Sequence, residues 1–278
     1  MNGPTEWPAP DPATATAPVF IVGSPRSSTN ALAYALATHT ALWTSGESRF
    51  LAELFGHDRV DWVYDRAYRS PGQHWLAMQG VTREEFLRSL GAGIDALFRS
   101  RTDGRRWIDH TPPYVFIADI LADMFPTAHF IHIIRDGRRV VDSMINFGKR
   151  PDAHDGEGVE LPLWATDFNE ACLTWASSVR AGLEFCSRFP GRARTVVSED
   201  LTARPEAEFA MLLRFLGLPY EPGPAQWLST HRINSSYQAS DRGRTAADQN
   251  GWHTWSAAQQ RIFDQYAAQL LTLHGIAR

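Results

Sequence analysis

Two stretches of this chain carry residue types suited to gripping an anion. In the first, residues 18–39, the apolar run Val19, Phe20, Ile21, Val22 lies between Pro18 and Gly23. It is too short for a helix and reads as a buried strand. Gly23, Ser24 and Pro25 turn the chain, and from Asn30 to His39 helix formers place Leu32, Tyr34 and Leu36 toward a sheet. A strand, a tight polar turn and a helix start gather backbone N–H groups and a positive dipole end at one point, which suits phosphate or sulfate. Arg26 adds a charged, forked donor, and Ser27, Ser28, Thr29 and Asn30 add side-chain donors. The plain alternative is an ordinary turn with an exposed Arg.

The second stretch is the clearest strand in the chain, residues 128–134 (A-H-F-I-H-I-I), which runs into Arg135, Asp136 and Gly137. Ser143 follows Arg135 by eight positions. A surface helix rich in Arg accounts for Arg138 and Arg139 but for neither Arg135 nor Ser143. Two further residues have chemistry of their own. Glu47, in Gly46-Glu47-Ser48-Arg49 after a short strand at 41–44, lies where open α/β sheets place their ligands. Its alternative is a helix cap. His110 follows a strand at 107–109 in W-I-D-H-T-P-P-Y, and Pro112 suits the start of a helix running to Phe125. His110 serves as a charge stabiliser if protonated, as a base if neutral, or only as a helix cap.

The turn is not the usual nucleotide loop, which needs G-x-x-x-x-G-K-[ST]; no Gly-Lys pair exists here. G-S-P-R-S-S-T-N instead resembles the 5′-phosphosulfate loop of sulfotransferases that use PAPS (3′-phosphoadenosine 5′-phosphosulfate), closest to the tyrosylprotein branch. Ser28 stands where that loop usually has Gly, and Asn30 where it has a hydroxyl. The resemblance implies that Arg26, Ser27, Ser28, Thr29 and Asn30 hold the phosphosulfate, while Arg135 and Ser143 hold the 3′-phosphate. It implies Glu47 as general base, followed by Arg49, and places His110 where the family commonly has the Lys of D-K-T-P. S-E-D-L at 198–201 resembles the family's Y-E-D-L, with Ser198 in place of a nucleotide-contacting Tyr. Asn234 to Tyr237, with Arg242 and Arg244, fall where the family wraps a loop over the nucleotide.

The remaining chain fixes the frame. At 278 residues, 44% hydrophobic and 21% charged, it has the make-up of a globular protein able to bury a full core. A net charge of −4 argues against a nucleic-acid partner. No apolar run is long enough to span a membrane, and residues 1–17 lack the basic start and apolar core of a signal peptide, so they read as a disordered leader. Cys172 and Cys186 lie several turns apart on one helix and cannot bridge, and no metal-ligand spacing appears. A reducing cytoplasm is the expected compartment. Residues 57–79 and 147–167 read as irregular, acceptor-side insertions, with some of the ten Trp lining an acceptor cleft and others in the core. Thr82 with Glu85, and Ser256 with Gln259, read as capping boxes of two further helices.

Strands alternating with helices predict an α/β fold: one domain over 18–278, a parallel central sheet flanked by helices, in the P-loop-kinase-like sulfotransferase arrangement. The expected activity is transfer of the PAPS sulfuryl group to a hydroxyl, less readily an amine, of a small-molecule or natural-product acceptor. PAP is then the product, and no metal is needed. The alternatives are a non-catalytic PAP/PAPS-binding module and a Mg-nucleotide-dependent kinase.

Overall fold

A computed structural model describes residues 17–56, 59–69, 71–149, 161–231 and 251–274. Its centre is a five-stranded sheet of β1 (Val19–Gly23), β2 (Leu42–Trp43), β3 (Arg106–Asp109), β4 (His129–Ile134) and β5 (Ala193–Val197). The order is β2-β3-β1-β4-β5, with every pairing parallel. Every residue of β1 and β4 is buried, because helices cover both faces of a parallel sheet. From β1 the chain leaves through α1 (Thr29–Leu36) to the β2 edge, while from β4 it leaves toward β5. The two exits diverge, so a crevice opens at the carboxyl ends of β1 and β4.

Alternation along β1 divides the core. Phe20 and Val22 face an aromatic layer in which Phe20 stacks on Phe130 at 5.2 Å and meets the Trp107 edge at 5.4 Å. Val19 and Ile21 face an aliphatic layer with Leu32, Leu36, Ile131 and Leu212. A third cluster joins α7 (Gly137–Gly148), α9 (Phe168–Arg188) and α13 (Ala257–His274), where Trp175 stacks on Phe263 at 5.2 Å. At the amino ends of the strands, the buried Arg106 guanidinium donates to Ala17 O, to Leu216 O (2.8 Å) and to His129 Nδ1 (2.7 Å). It ties three segments together there.

Ser256 and Gln259 close a reciprocal box, Gln259 N donating to Ser256 Oγ (3.3 Å) and Ser256 N to Gln259 Oε1 (2.9 Å), and at the head of α5 (Arg83–Arg99) Glu85 N donates to the capping Thr82 Oγ1 (3.1 Å). Cys172 and Cys186 are free thiols on α9. The expected irregular run at 57–79 is corrected. It forms α3 (Arg59–Arg69), a 3-10 turn at Pro71–Gln73 and the short α4 (Trp75–Met78). Among its described side chains only the small Ala67 is buried, while the half-buried Tyr64 meets Tyr68 at 4.7 Å and Phe86 at 6.3 Å, so a purely aliphatic periodicity does not reveal it. Trp62 and Trp75 stay exposed, whereas Trp107, Trp175 and Trp255 are buried. The single helix expected from Pro112 is also corrected: residues Pro112–Ile117 wind as 3-10 before α6 (Ala118–Met124). In the insertion at 147–167, α7 runs through Gly148 and α8 spans Leu163–Thr166. Residues 1–16, 150–160 and 232–250, including Asn234, Tyr237, Arg242 and Arg244, lie outside the described residues.

One close contact fixes how α9 packs on the sheet. A Cβ on Gly182 falls 2.3 Å from the ring of His132, which β4 buries completely. Gly182→Ala is therefore expected to lower stability by about 1–3 kcal/mol, read from a urea melt against Gly191→Ala, where a Cβ meets nothing.

Candidate functional site

The turn after β1 holds the first anion-binding group. A Cβ on Gly23 lies 2.6 Å from Ile133 O, so only glycine lets β1 and β4 meet there. Two non-glycine residues then adopt left-handed backbone, Arg26 (φ 68) and Ser28 (φ 75, the residue preceding α1). Each costs about 1–2 kcal/mol and persists only if its surroundings enforce it. They do so from three sides. Arg135 Nη1 donates to Arg26 O (3.1 Å), Arg26 Nε donates to Ser143 Oγ (3.3 Å), and the Arg26 guanidinium lies over the Phe147 ring at 5.2 Å. Ser198, opening α10 (Ser198–Ala203), donates its hydroxyl to Ser28 Oγ at 3.2 Å. The two serines that depart from the sequence pattern therefore meet, and the Ser28 proton is left to donate onward.

Arg26, Arg135 and Ser143, far apart in the chain, thus converge over the crevice. Ser27 and Thr29 are buried in the same turn, and Asn30 carries a buried amide oxygen with no protein partner. Asp136 caps α7, accepting from Arg138 N (2.9 Å), and its own N–H donates to Glu199 Oε1 (3.1 Å).

Glu47 sits on the bend after β2. It does not cap α2 (Phe50–Phe55), whose preceding residue is Arg49. Its carboxylate pairs with Arg49 Nη2 at 3.3 Å. Burial pushes the Glu47 carboxyl above the usual range, Arg49 pulls it back, Asp109 raises it and Arg26 lowers it. Arg49 itself has φ 60, a third strained non-glycine position in these bends.

His110 lies at the end of β3. Thr44 Oγ1 donates its one proton to Ile108 O (3.0 Å), so His110 Nδ1, 3.2 Å away, donates to Thr44 and leaves the lone pair on Nε2. Burial pushes the ring down to about 4. Burial thus favours the uncharged ring at neutral pH, in which Nε2 is an acceptor or base.

The sequence reading missed the residues that hold these groups: Thr44 beneath His110, Phe147 beneath Arg26, and Asp109, Thr111 and Tyr114 beneath the Glu47 bend. The available signal was a carboxylate at the end of an apolar strand, where an unpartnered charge is costly. Among the described residues, no three His, Cys, Asp or Glu side chains gather to hold a metal ion, and no helix is long and apolar enough to cross a membrane.

Comparison with known proteins bears on this arrangement. A Sulfotransferase family model matches residues 18–222. A putative protein-tyrosine sulfotransferase of Caenorhabditis briggsae is 26% identical over 77% of this chain and 69% of its own length. The protein-tyrosine sulfotransferase 1 of Danio rerio is 26% identical over 73% of this chain, which spans 53% of that relative. An omega-hydroxy-beta-dihydromenaquinone-9 sulfotransferase of Mycobacterium bovis is 29% identical over 50% of this chain and 37% of its own. Among solved structures, the sulfotransferase domain of the Synechococcus olefin synthase superposes with TM-score 0.57 at 21% identity, covering 96% of this chain and 98% of that one. A mouse sulfotransferase complexed with PAP gives 0.54 at 14% identity, covering 92% and 85%. Those structures share the fold; the family match takes in β1 with its strained turn, the Glu47 bend, His110, Arg135 and Ser143, and by it the chain belongs to the sulfotransferase family.

Proposed function

We propose that this chain transfers the sulfuryl group of PAPS to the hydroxyl of a small-molecule acceptor. The observation that carries the reading is the convergence of Arg26, Arg135 and Ser143 at the β1–β4 crevice, two cationic strand ends set to hold two anionic groups of one nucleotide. The left-handed turn fits an anion that completes the site. In this reading the turn from Arg26 to Asn30 grips the phosphosulfate, and Arg135 with Ser143 takes the 3′-phosphate.

The acceptor oxygen attacks sulfur in line with the leaving phosphate. The bond from sulfur to the bridging oxygen breaks with its electron pair going to the nucleotide, and the acceptor proton passes to Glu47. Arg26 and the turn N–H groups stabilise the charge growing on the bridging oxygen. Neutral His110 offers Nε2 to a donor on the acceptor other than the reacting hydroxyl, whose proton goes to Glu47, and thereby orients it. A tyrosine hydroxyl of a protein is the second acceptor reading, favoured by the protein-tyrosine sulfotransferases among the relatives.

The test is calorimetric titration with PAP, with and without Mg²⁺, and with ATP–Mg²⁺ in parallel. Metal-independent micromolar binding of PAP, weakened at least about ten-fold in Arg135→Ala, is expected for one lost charge-assisted contact. Preference for ATP–Mg²⁺ overturns the donor assignment. Tight PAP binding without turnover on any phenol, alcohol or tyrosyl peptide favours a non-catalytic module.

A further inference from the structure

Beneath the Glu47 bend lies a buried cluster that the transfer chemistry does not use. Asp109, the last residue of β3, is 1% exposed. Its Oδ1 accepts from Thr111 N (3.0 Å) and Thr111 Oγ1 (2.7 Å), and its Oδ2 accepts from Ser48 Oγ. Tyr114 OH lies 2.7 Å from Ser48 Oγ and accepts from Leu51 N at 3.2 Å. Thr111 Oγ1 accepts from Arg49 N at 3.2 Å.

Counting protons gives the cluster a direction. Each hydroxyl has one hydrogen to donate. Ser48 and Thr111 spend theirs on Asp109, so Tyr114 must donate to Ser48, and Leu51 N and Arg49 N fill the remaining acceptor positions. Every donor runs toward the Asp109 carboxylate. A proton on Asp109 Oδ2 turns the Ser48 hydrogen away toward Tyr114 and breaks this run of donors. Burial raises the Asp109 carboxyl while the Ser48 and Thr111 hydrogen bonds lower it, and the ionised form satisfies every group.

We infer that Asp109 is a positioning residue for Glu47: through Ser48 directly and Arg49 by way of Thr111, it locks the two residues that follow Glu47 into their strained bend. The inference rests on the reading of Glu47 as the proton acceptor. It explains why a bend with a left-handed Arg49 persists without glycine at that position: the strand end below grips it by side chains on both residues. The charged groups acting on Glu47 are Arg49 on its own bend, Arg26 on the turn after β1 and Asp109 at the end of β3.

The test is a ¹³C-carboxyl NMR titration of the full chain, with the Glu47 signal identified by its loss in Glu47→Gln. Asp109→Asn keeps the size but puts an amide where a carboxylate received protons. It removes a negative neighbour and loosens the bend toward water, and both changes lower the Glu47 midpoint, by roughly half a pH unit or more. Thr111→Val keeps the Asp109 charge and cuts two links; it lowers the midpoint by a smaller amount through hydration alone. PAP affinity stays within about two-fold in both variants, because neither touches the turn after β1. A Glu47 midpoint unchanged in folded Asp109→Asn overturns the inference, and if that variant does not fold, an unchanged midpoint in Thr111→Val does so. Failure of the wild-type chain to bind PAP overturns the donor reading instead and leaves the titration result standing.

Discussion

Replacing Glu47 by Gln is expected to lower turnover by about 10²- to 10⁴-fold while PAP binds as in the wild type, the split that marks a proton acceptor rather than a binding group. Gln keeps the shape and one acceptor oxygen but cannot take the proton. The wild-type rate should also fall on the acid side, as Glu47 becomes protonated. Burial raises this carboxyl and Arg49 opposes the rise, so the limb lies above the ordinary glutamate value and moves further up in Arg49→Gln. A rate profile of purified Arg49→Gln against wild type reads the shift directly. Turnover of Glu47→Gln within a few-fold of wild type would assign the base elsewhere, with the neutral His110 Nε2 next in position.

Below pH 6.5 the fold itself should lose stability steeply. His110, His129 and His132 are buried, and burial holds them neutral, with values pushed down to about 4, about 4 and about 3. Arg106 and Arg192 lower His129 further. A histidine depressed in the fold is protonated first in the unfolded chain, so stability falls as pH drops from the unfolded value of 6.5 toward the folded one. Glu47 and Asp109 are raised, and they act in the opposite sense above the unfolded carboxylate values. Three histidines against two carboxyls leave a net uptake of one to three protons on unfolding, or about 1.4–4 kcal/mol per pH unit near pH 5. Against a total stability of about 5–15 kcal/mol, a loss of that size is a large share, so the melting temperature falls steeply between pH 6 and 4. Thermal melts from pH 7 to 4 test it. His132→Met should shift the acid midpoint downward, and a flat melting temperature across that range would show that these rings find partners when charged.

Much of the frame was legible because its signals are local. The apolar runs of β1 and β4, bounded by turn residues, give strands of the right position. Thr82 with Glu85, and Ser256 with Gln259, place two helix starts to the residue. The helix across 59–69 was not legible, since among its described side chains only Ala67 is buried, and the half-buried Tyr64 packs against Phe86, a contact no local signal announces. The tight winding from Pro112 to Ile117 likewise carries no signal in the hydrophobic spacing.

By itself the sequence determined which residue types stand at the ends of which strands: Arg26, Glu47, His110 and Arg135 all follow short apolar runs, and a parallel sheet brings such ends to one edge. Tertiary structure alone decided the states and partners of those residues. Ser28 meets Ser198 across 170 positions, Arg26 meets Ser143 across 117, and Asp109 grips Ser48 across 61. His110 loses its charge because β3 ends inside the molecule, a consequence of burial that no residue type carries. The physical reason is range. Propensity and hydrophobic period act over a few residues along the chain, whereas ionisation, hydrogen-bond direction and strain at a site depend on what the fold brings within a few ångströms.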